Sequence, residues 1–156
     1  MEVVFLKAKK PLSKEISQEG IKPYPLIKNF SSEHYDVSVD AKGFNKLYKL
    51  LTDQAAAGAC LHKGLLKRQL EDEPRAFMSE RTKTTQLLVL DVDGLHTSNP
   101  GDLQALADKI ILQLPEYFHN VSYIVQASAS LGFKKNTVSM HLFFLLDMPV
   151  HPKTLK

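Results

Sequence analysis

Two pairs of polar residues interrupt otherwise apolar runs. Asp91 and Asp93 fall at the end of LLVLDVDG, residues 87–94, and Ser139 and His141 fall inside TVSMHLFFLL, residues 137–146. Both runs read as strands, and side chains alternate along a strand. Asp91 and Asp93 therefore share one face. Ser139 and His141 share a face of their own strand, with Val138, Met140 and Leu142 turned the other way. Two carboxylates this close repel each other, so a cation or a shared proton must relieve them. Oxygen donors suit Mg2+ or Mn2+. A divalent cation held there can bridge nucleotide phosphates and stabilise charge in an in-line displacement. If the two strands are neighbours, the carboxylates sit beside the serine and the histidine on one surface. Lys63, Arg75, Arg81, Lys134 and Lys135 can supply positive charge for phosphate.

Each of these residues also has a plainer reading. Asp93-Gly94 is a common turn signal. His141 taken singly is a core histidine with its hydrogen bonds satisfied, and the Lys134-Lys135 pair is a solvated loop tip. Cys60 reads as a small buried or half-buried residue, and Phe143 and Phe144 as core. His34, His62, His96, His119 and His151 show no metal-ligand spacing. Position favours the site: Asp91 lies within its apolar run rather than after it, and Ser139 and His141 come two elements after the carboxylate pair.

The flanking pattern supplies the elements that must position these residues. VVFLKA, residues 3–8, reads as a first strand. Residues 10–29 hold three prolines and read as a loop with short extended pieces. In residues 40–58, Phe44, Leu47, Tyr48, Leu51 and Ala55 recur at helical steps, and Gly58 is placed to stop the helix. Residues 60–78 are basic and then acidic, broken by Gly64 and Pro74. The second half is strand (84–93), helix (98–114), strand (121–128), loop (129–136) and strand (137–146). Asn99 would cap the helix and Pro100 would take its first position, with Leu103, Leu106, Ala107, Ile110 and Leu114 facing inward. Residues 148–156, MPVHPKTLK, look like the approach to a further helix. Strand, helix, strand, strand is the order of the ferredoxin-like split unit without its last helix and strand, in which the first and third strands are neighbours. The expected fold is α/β of the α+β kind. An N-terminal αβ unit, residues 1–83, packs on a ferredoxin- or RRM-like βαββ catalytic subdomain, residues 84–156, that stops short.

Composition sets the frame. The chain of 156 residues can build a real core. Its 20 basic and 17 acidic residues give a formal charge of +3, which permits a nucleic-acid or nucleotide partner without requiring one. A single cysteine excludes a disulfide framework and a cysteine-rich zinc site, and fits a reducing cytoplasm. The N-terminal apolar run is too short for a signal peptide and meets Lys7, Lys9 and Lys10 at once. No segment has the length of a membrane span.

LVLDVDG resembles the first motif of the haloacid-dehalogenase-like phosphatases, but Leu95 and His96 follow where that family has Thr and Leu, and most of the chain precedes the motif. The two motifs together resemble the archaeo-eukaryotic primase superfamily, especially the primase-polymerase-like replication proteins of phages, plasmids and integrated elements. Asp91-x-Asp93 matches the family's first motif and Ser139-x-His141 its second, with the same helix and strand between them. KPYPLIKNFSSE, GACLHKGLLKRQL, RAF and the stretch around QASASLGFKKNTVSMHLFFLLDMPV are similar to the family's flanking regions, so the resemblance runs from about Ile21 onward.

The resemblance implies a metal-dependent DNA primase/polymerase domain. Asp91 and Asp93 would hold Mg2+ or Mn2+. His141 and Ser139 would bind the triphosphate, and Lys63 and Lys134 would contact nucleotide or template. A 3′-hydroxyl would attack the α-phosphate and pyrophosphate would leave. The partners would be nucleoside triphosphates, a single-stranded DNA template and a replicative helicase, with no membrane. The family's third acidic motif has no counterpart. Asp147, the only acidic residue after His141, reads as a turn residue, so the chain is expected to be an incomplete and weakly active piece of such a domain. Two other readings compete. One is a catalytically incomplete primase-like module that binds single-stranded DNA or a replicative helicase. The other is a metal-dependent nuclease or relaxase.

Overall fold

Glu2–Lys7 forms strand β1 in the computed structural model, which describes residues 1–10, 12, 14–23, 26–99, 101–129, 131 and 135–155. Four consecutive apolar side chains, Val3 to Leu6, are all at least 97% buried. Alternation sends Val4 and Leu6 to one face and Val3 and Phe5 to the other, so β1 is covered on both sides and must be internal. It is, in a four-stranded sheet ordered β5-β1-β4-β7. A hairpin of β2 (Glu15–Ser17) and β3 (Gly20–Lys22) precedes β4 (Asn29–Asp36), which pairs antiparallel with β1 from Glu2↔Asp36 to Lys7↔Ser31. Helix α1 (Ala41–Ala56) follows, then β5 (Cys60–His62), β6 (Leu65–Leu66), β7 (Glu73–Pro74) and β8 (Ser79–Glu80). Val4 and Leu6 pack with Leu65, Leu66 and Leu70. Gln54 of α1 donates to Glu33 and to the Tyr35 hydroxyl of β4 at 2.9 and 2.7 Å, which sets the helix on the opposite face.

The remaining elements are β9 (Thr85–His96), α2 (Leu103–Ile111), a single 3-10 turn (Glu116–Phe118), β10 (Ile124–Ala127) and β11 (Thr137–Val150). The sheet order is β10-β11-β9, so the two motif-bearing strands are neighbours. The chain divides into two compact units. One holds Met1–Leu88 and the residues from Leu145 on, the other Val89–Phe144. The second has its own core: Leu106, Ala107 and Ile111 from α2, with Val138, Met140, Leu142 and Phe144 from β11. The Phe118 and Tyr123 rings meet Phe144 with centroids 5.1 and 6.0 Å away. The architecture is mixed α+β, mostly sheet with two α-helices among the described residues. None of these helices is long and apolar enough to cross a membrane.

Several sequence expectations need correction. Strand β9 continues through Asp93-Gly94 to His96, so the Asp-Gly pair is not a turn. Strand β11 runs on to Val150, so residues 148–150 are strand rather than a helix approach, and Asp147 lies inside the strand instead of at a turn. Helix α2 begins at Leu103, with the Asp102 carboxylate accepting from the Ala105 N–H, so Asp102 rather than Asn99 is the cap. Pro100 and Gly132 lie outside the described residues. Helix α1 buries Gly43, Leu47, Leu51 and Gln54, while Tyr48 is exposed, so its inner face is turned from the one the apolar residues alone mark. Cys60 is exposed.

Candidate functional site

The second unit brings both motifs to one sheet face. His141 Nε2 lies 3.2 Å from Asp91 Oδ1, and the Gly94 N–H donates to Ser139 Oγ at 3.1 Å. With the Thr97 N–H donating to the Asn136 carbonyl, the contacts pair 91 with 141, 94 with 139 and 97 with 136. One strand ascends as the other descends, so β9 and β11 run antiparallel here. Residues 138, 140 and 142 are fully buried, whereas Ser139 and His141 are half-buried. That alternation turns the serine and histidine to the accessible face. The Asp91 and His141 side chains keep 46% and 30% of their surface, enough for a ligand to reach both. Asp93 is exposed, two residues along from Asp91 and on the same side of β9.

Gly94 shapes the edge of this face. Its φ of +68° lies in the region that favours glycine, within a strand that nonetheless continues. Its N–H goes to a side-chain oxygen, Ser139 Oγ, and a glycine with positive φ is what a β-bulge uses. Because Ser139 Oγ accepts from the backbone, its own proton remains available to donate. Sequence reasoning did not mark Gln126. It stands directly opposite His141 in the β10–β11 register, so both side chains leave the sheet on the same face. A lone amide in the apolar run YIVQA is the signal that finds it.

The predicted basic residues fall elsewhere or outside the described chain. Lys63 is exposed in the turn between β5 and β6, in the first unit, as are Arg75 and Arg81 beyond it. Lys134 lies outside the described residues, and Lys135 is exposed before β11. Among the described residues no group of three His, Cys, Asp or Glu side chains is arranged to hold a metal ion. Asp91 and Asp93 offer two oxygen donors of the chemistry that suits Mg2+ or Mn2+. Magnesium is commonly held by one or two carboxylates together with water and substrate phosphate, so a two-donor set fits it.

The first unit contains a second arrangement with the atoms of a catalytic triad. Ser32 Oγ is 2.9 Å from His34 Nε2, and His34 Nδ1 is 2.5 Å from Glu2 Oε1. Ser32 is 2% exposed, and its Oγ already accepts the Leu70 N–H at 2.8 Å. No substrate carbonyl can reach that oxygen. The donors run in one direction: Leu70 N–H to Ser32 Oγ, Ser32 O–H to His34 Nε2, His34 Nδ1–H to Glu2. This is a structural relay that satisfies a buried serine.

No protein-family model, curated protein or solved structure matches the chain.

Proposed function

We propose that the chain is a metal-dependent nucleotidyltransferase module of the primase-polymerase kind, belonging to the archaeo-eukaryotic primase superfamily. The observation that carries the reading is the convergence of Asp91, Ser139 and His141 on one accessible face, from segments nearly fifty residues apart. The element order strand, helix, strand, strand, with the last strand in the middle, also supports it and agrees with a ferredoxin-like catalytic subdomain. Asp91 and Asp93 would hold Mg2+ or Mn2+, which when bound supplies charge neutralisation for the triphosphate and the pentavalent transition state. Ser139 donates its hydroxyl proton to a phosphate oxygen. His141, whose Nε2 lies beside Asp91, would donate from that nitrogen to a second phosphate oxygen. Gln126, beside His141, is placed to orient the bound nucleotide. A 3′-hydroxyl attacks the α-phosphorus, its proton passes to solvent, and pyrophosphate leaves. Positioning and fixed charge carry most of such a reaction.

A second reading is favoured by the two-donor count at the carboxylates. It is a primase-like module that binds single-stranded DNA or a replicative helicase without completing the chemistry.

Calorimetric titration of a nucleoside triphosphate with Mn2+ present tests the site. Binding by the wild-type chain should require the metal. It should weaken at least about tenfold in both Asp91→Asn/Asp93→Asn and His141→Ala, the loss expected for one charged contact. Metal-independent binding, or binding untouched in the variants, would remove the nucleotide site. Primer synthesis on a single-stranded template then separates the two readings: extension supports the transferase, and nucleotide binding without extension supports the incomplete module.

A further inference from the structure

The first unit contains a groove of about 1120 Å³. Lys28, Lys67, Arg75 and Arg81 line it together with Phe30 and Phe77. Among the described residues its one carboxylate is Glu80, which leaves four cations against one anion, a net of +3. That equals the formal charge of the entire chain. All four cations are exposed. Among the described residues none of the four is ion-paired with a carboxylate, whereas Lys7, Lys9, Lys22, Lys49 and Arg68 are. Glu80, among the described residues, is ion-paired with none of them. Its carboxylate accepts from the Thr82 N–H and hydroxyl at 2.7 and 2.6 Å, which holds its pKa down to about 2.

The aromatic residues are arranged as unusually as the charges. The Phe77 ring is 90% exposed and its backbone has φ +71°, a conformation that bulky side chains rarely adopt. Strain of this kind persists where the fold holds a side chain for use. Arg75 lies over the Phe30 ring, 5.9 Å from its centroid, so a cation-backed flat surface also faces the groove. Positive charge for a phosphate backbone beside open aromatic faces for bases is the arrangement that binds single strands. An acidic peptide would use the charges and leave the rings idle. A duplex would hide its base faces.

We propose that this groove binds single-stranded nucleic acid, with phosphates on Lys28, Lys67 and Arg81, one base stacked on Phe77 and another against Arg75 over Phe30. The site lies within the first unit, and its test needs neither nucleotide nor divalent cation, so it stands or falls apart from the transferase reading. The full chain is titrated into fluorescently labelled short oligo(dT) with EDTA present, and anisotropy is read across a salt series. Three phosphate contacts give a log–log salt slope of about −2. Arg75→Ala/Arg81→Ala should weaken binding at least about tenfold and flatten the slope by about 0.7, the share of Arg81. Phe77→Gly should weaken binding about fivefold or more while the melting temperature holds or rises, since glycine relieves the positive φ. The proposal is overturned if wild type does not bind oligo(dT), if either groove variant binds unchanged, or if polyglutamate or duplex DNA competes as well as the unlabelled strand.

Discussion

Ser32 shows why a constellation of reactive atoms has to be weighed by access. Its Oγ accepts the buried Leu70 N–H at 2.8 Å, and the Ser32 N–H returns a bond to the Leu70 carbonyl at 3.0 Å. Ser32→Ala orphans that N–H and one side of His34, so the chain should lose about 1–3 kcal/mol. A drop in the urea midpoint without loss of any hydrolytic activity is the expected result, and an unchanged midpoint would show that the relay contributes nothing. The sequence marks Asp91, Asp93, Ser139 and His141 because parity along a strand is readable when apolar neighbours fix which face is inside. Ser32 gives no such signal: it lies in NFSSEHYD, where polar residues alternate with one another. Gln126 is legible only once its register with His141 is known.

Strand β9 has to be continuous through Gly94 if Asp91, Asp93 and the Ser139 contact are to share one face. A side chain at φ +68° is strained even though a Cβ there would meet nothing within 4 Å. Gly94→Ala should therefore cost about 1 kcal/mol, a backbone effect without a clash. It should also weaken metal-dependent nucleotide binding, because the Gly94 N–H that holds Ser139 would shift. Gly43→Ala makes the opposite kind of control. A Cβ there would lie 1.7 Å from the Ser38 carbonyl oxygen, so the first turn of α1 must move, and the melting temperature should fall further than in Gly94→Ala with nucleotide binding less affected. If the two variants behave alike, Gly94 has no special part in the site. Strands β1, β9 and β11 are legible because each carries a dense apolar run. Strand β4 is not, since its burial is mostly of polar groups bonded to one another, as are Glu33, Tyr35 and Gln54. Those bonds also turn α1, bringing Gln54 inward where the apolar residues alone would place Tyr48.

Acid should destabilise the first unit in two successive steps with different causes. Burial, with the nearby Arg75 charge, pushes the His62 imidazole below its ordinary 6.5. The unfolded chain then binds this proton more readily than the folded one, so stability declines as pH falls through about 6.5 toward the lower folded value. The carboxylates act lower down. Hydrogen bonds from Lys7, Tyr35 and Gln54 hold Glu33 below 4.5, Arg68 does the same for Glu73, and Thr82 takes Glu80 to about 2. Each has a depressed folded pKa, so its contribution is present above about 4.5 and is lost as pH falls below that value. Urea midpoints measured from about pH 7 to 3 should show both declines. His62→Gln should flatten the upper one alone, and Glu33→Gln should lower the midpoint at neutral pH and soften the lower one. A flat profile between about pH 7 and 5 in wild type would exclude the histidine contribution. Between the two steps the groove's carboxylate keeps its charge, because Glu80 stays ionised. Protonation of His62, 3.5 Å from Arg75, adds positive charge beside the lining, so strand binding that weakens in that interval would report loss of the folded unit, and its midpoint should move with His62→Gln.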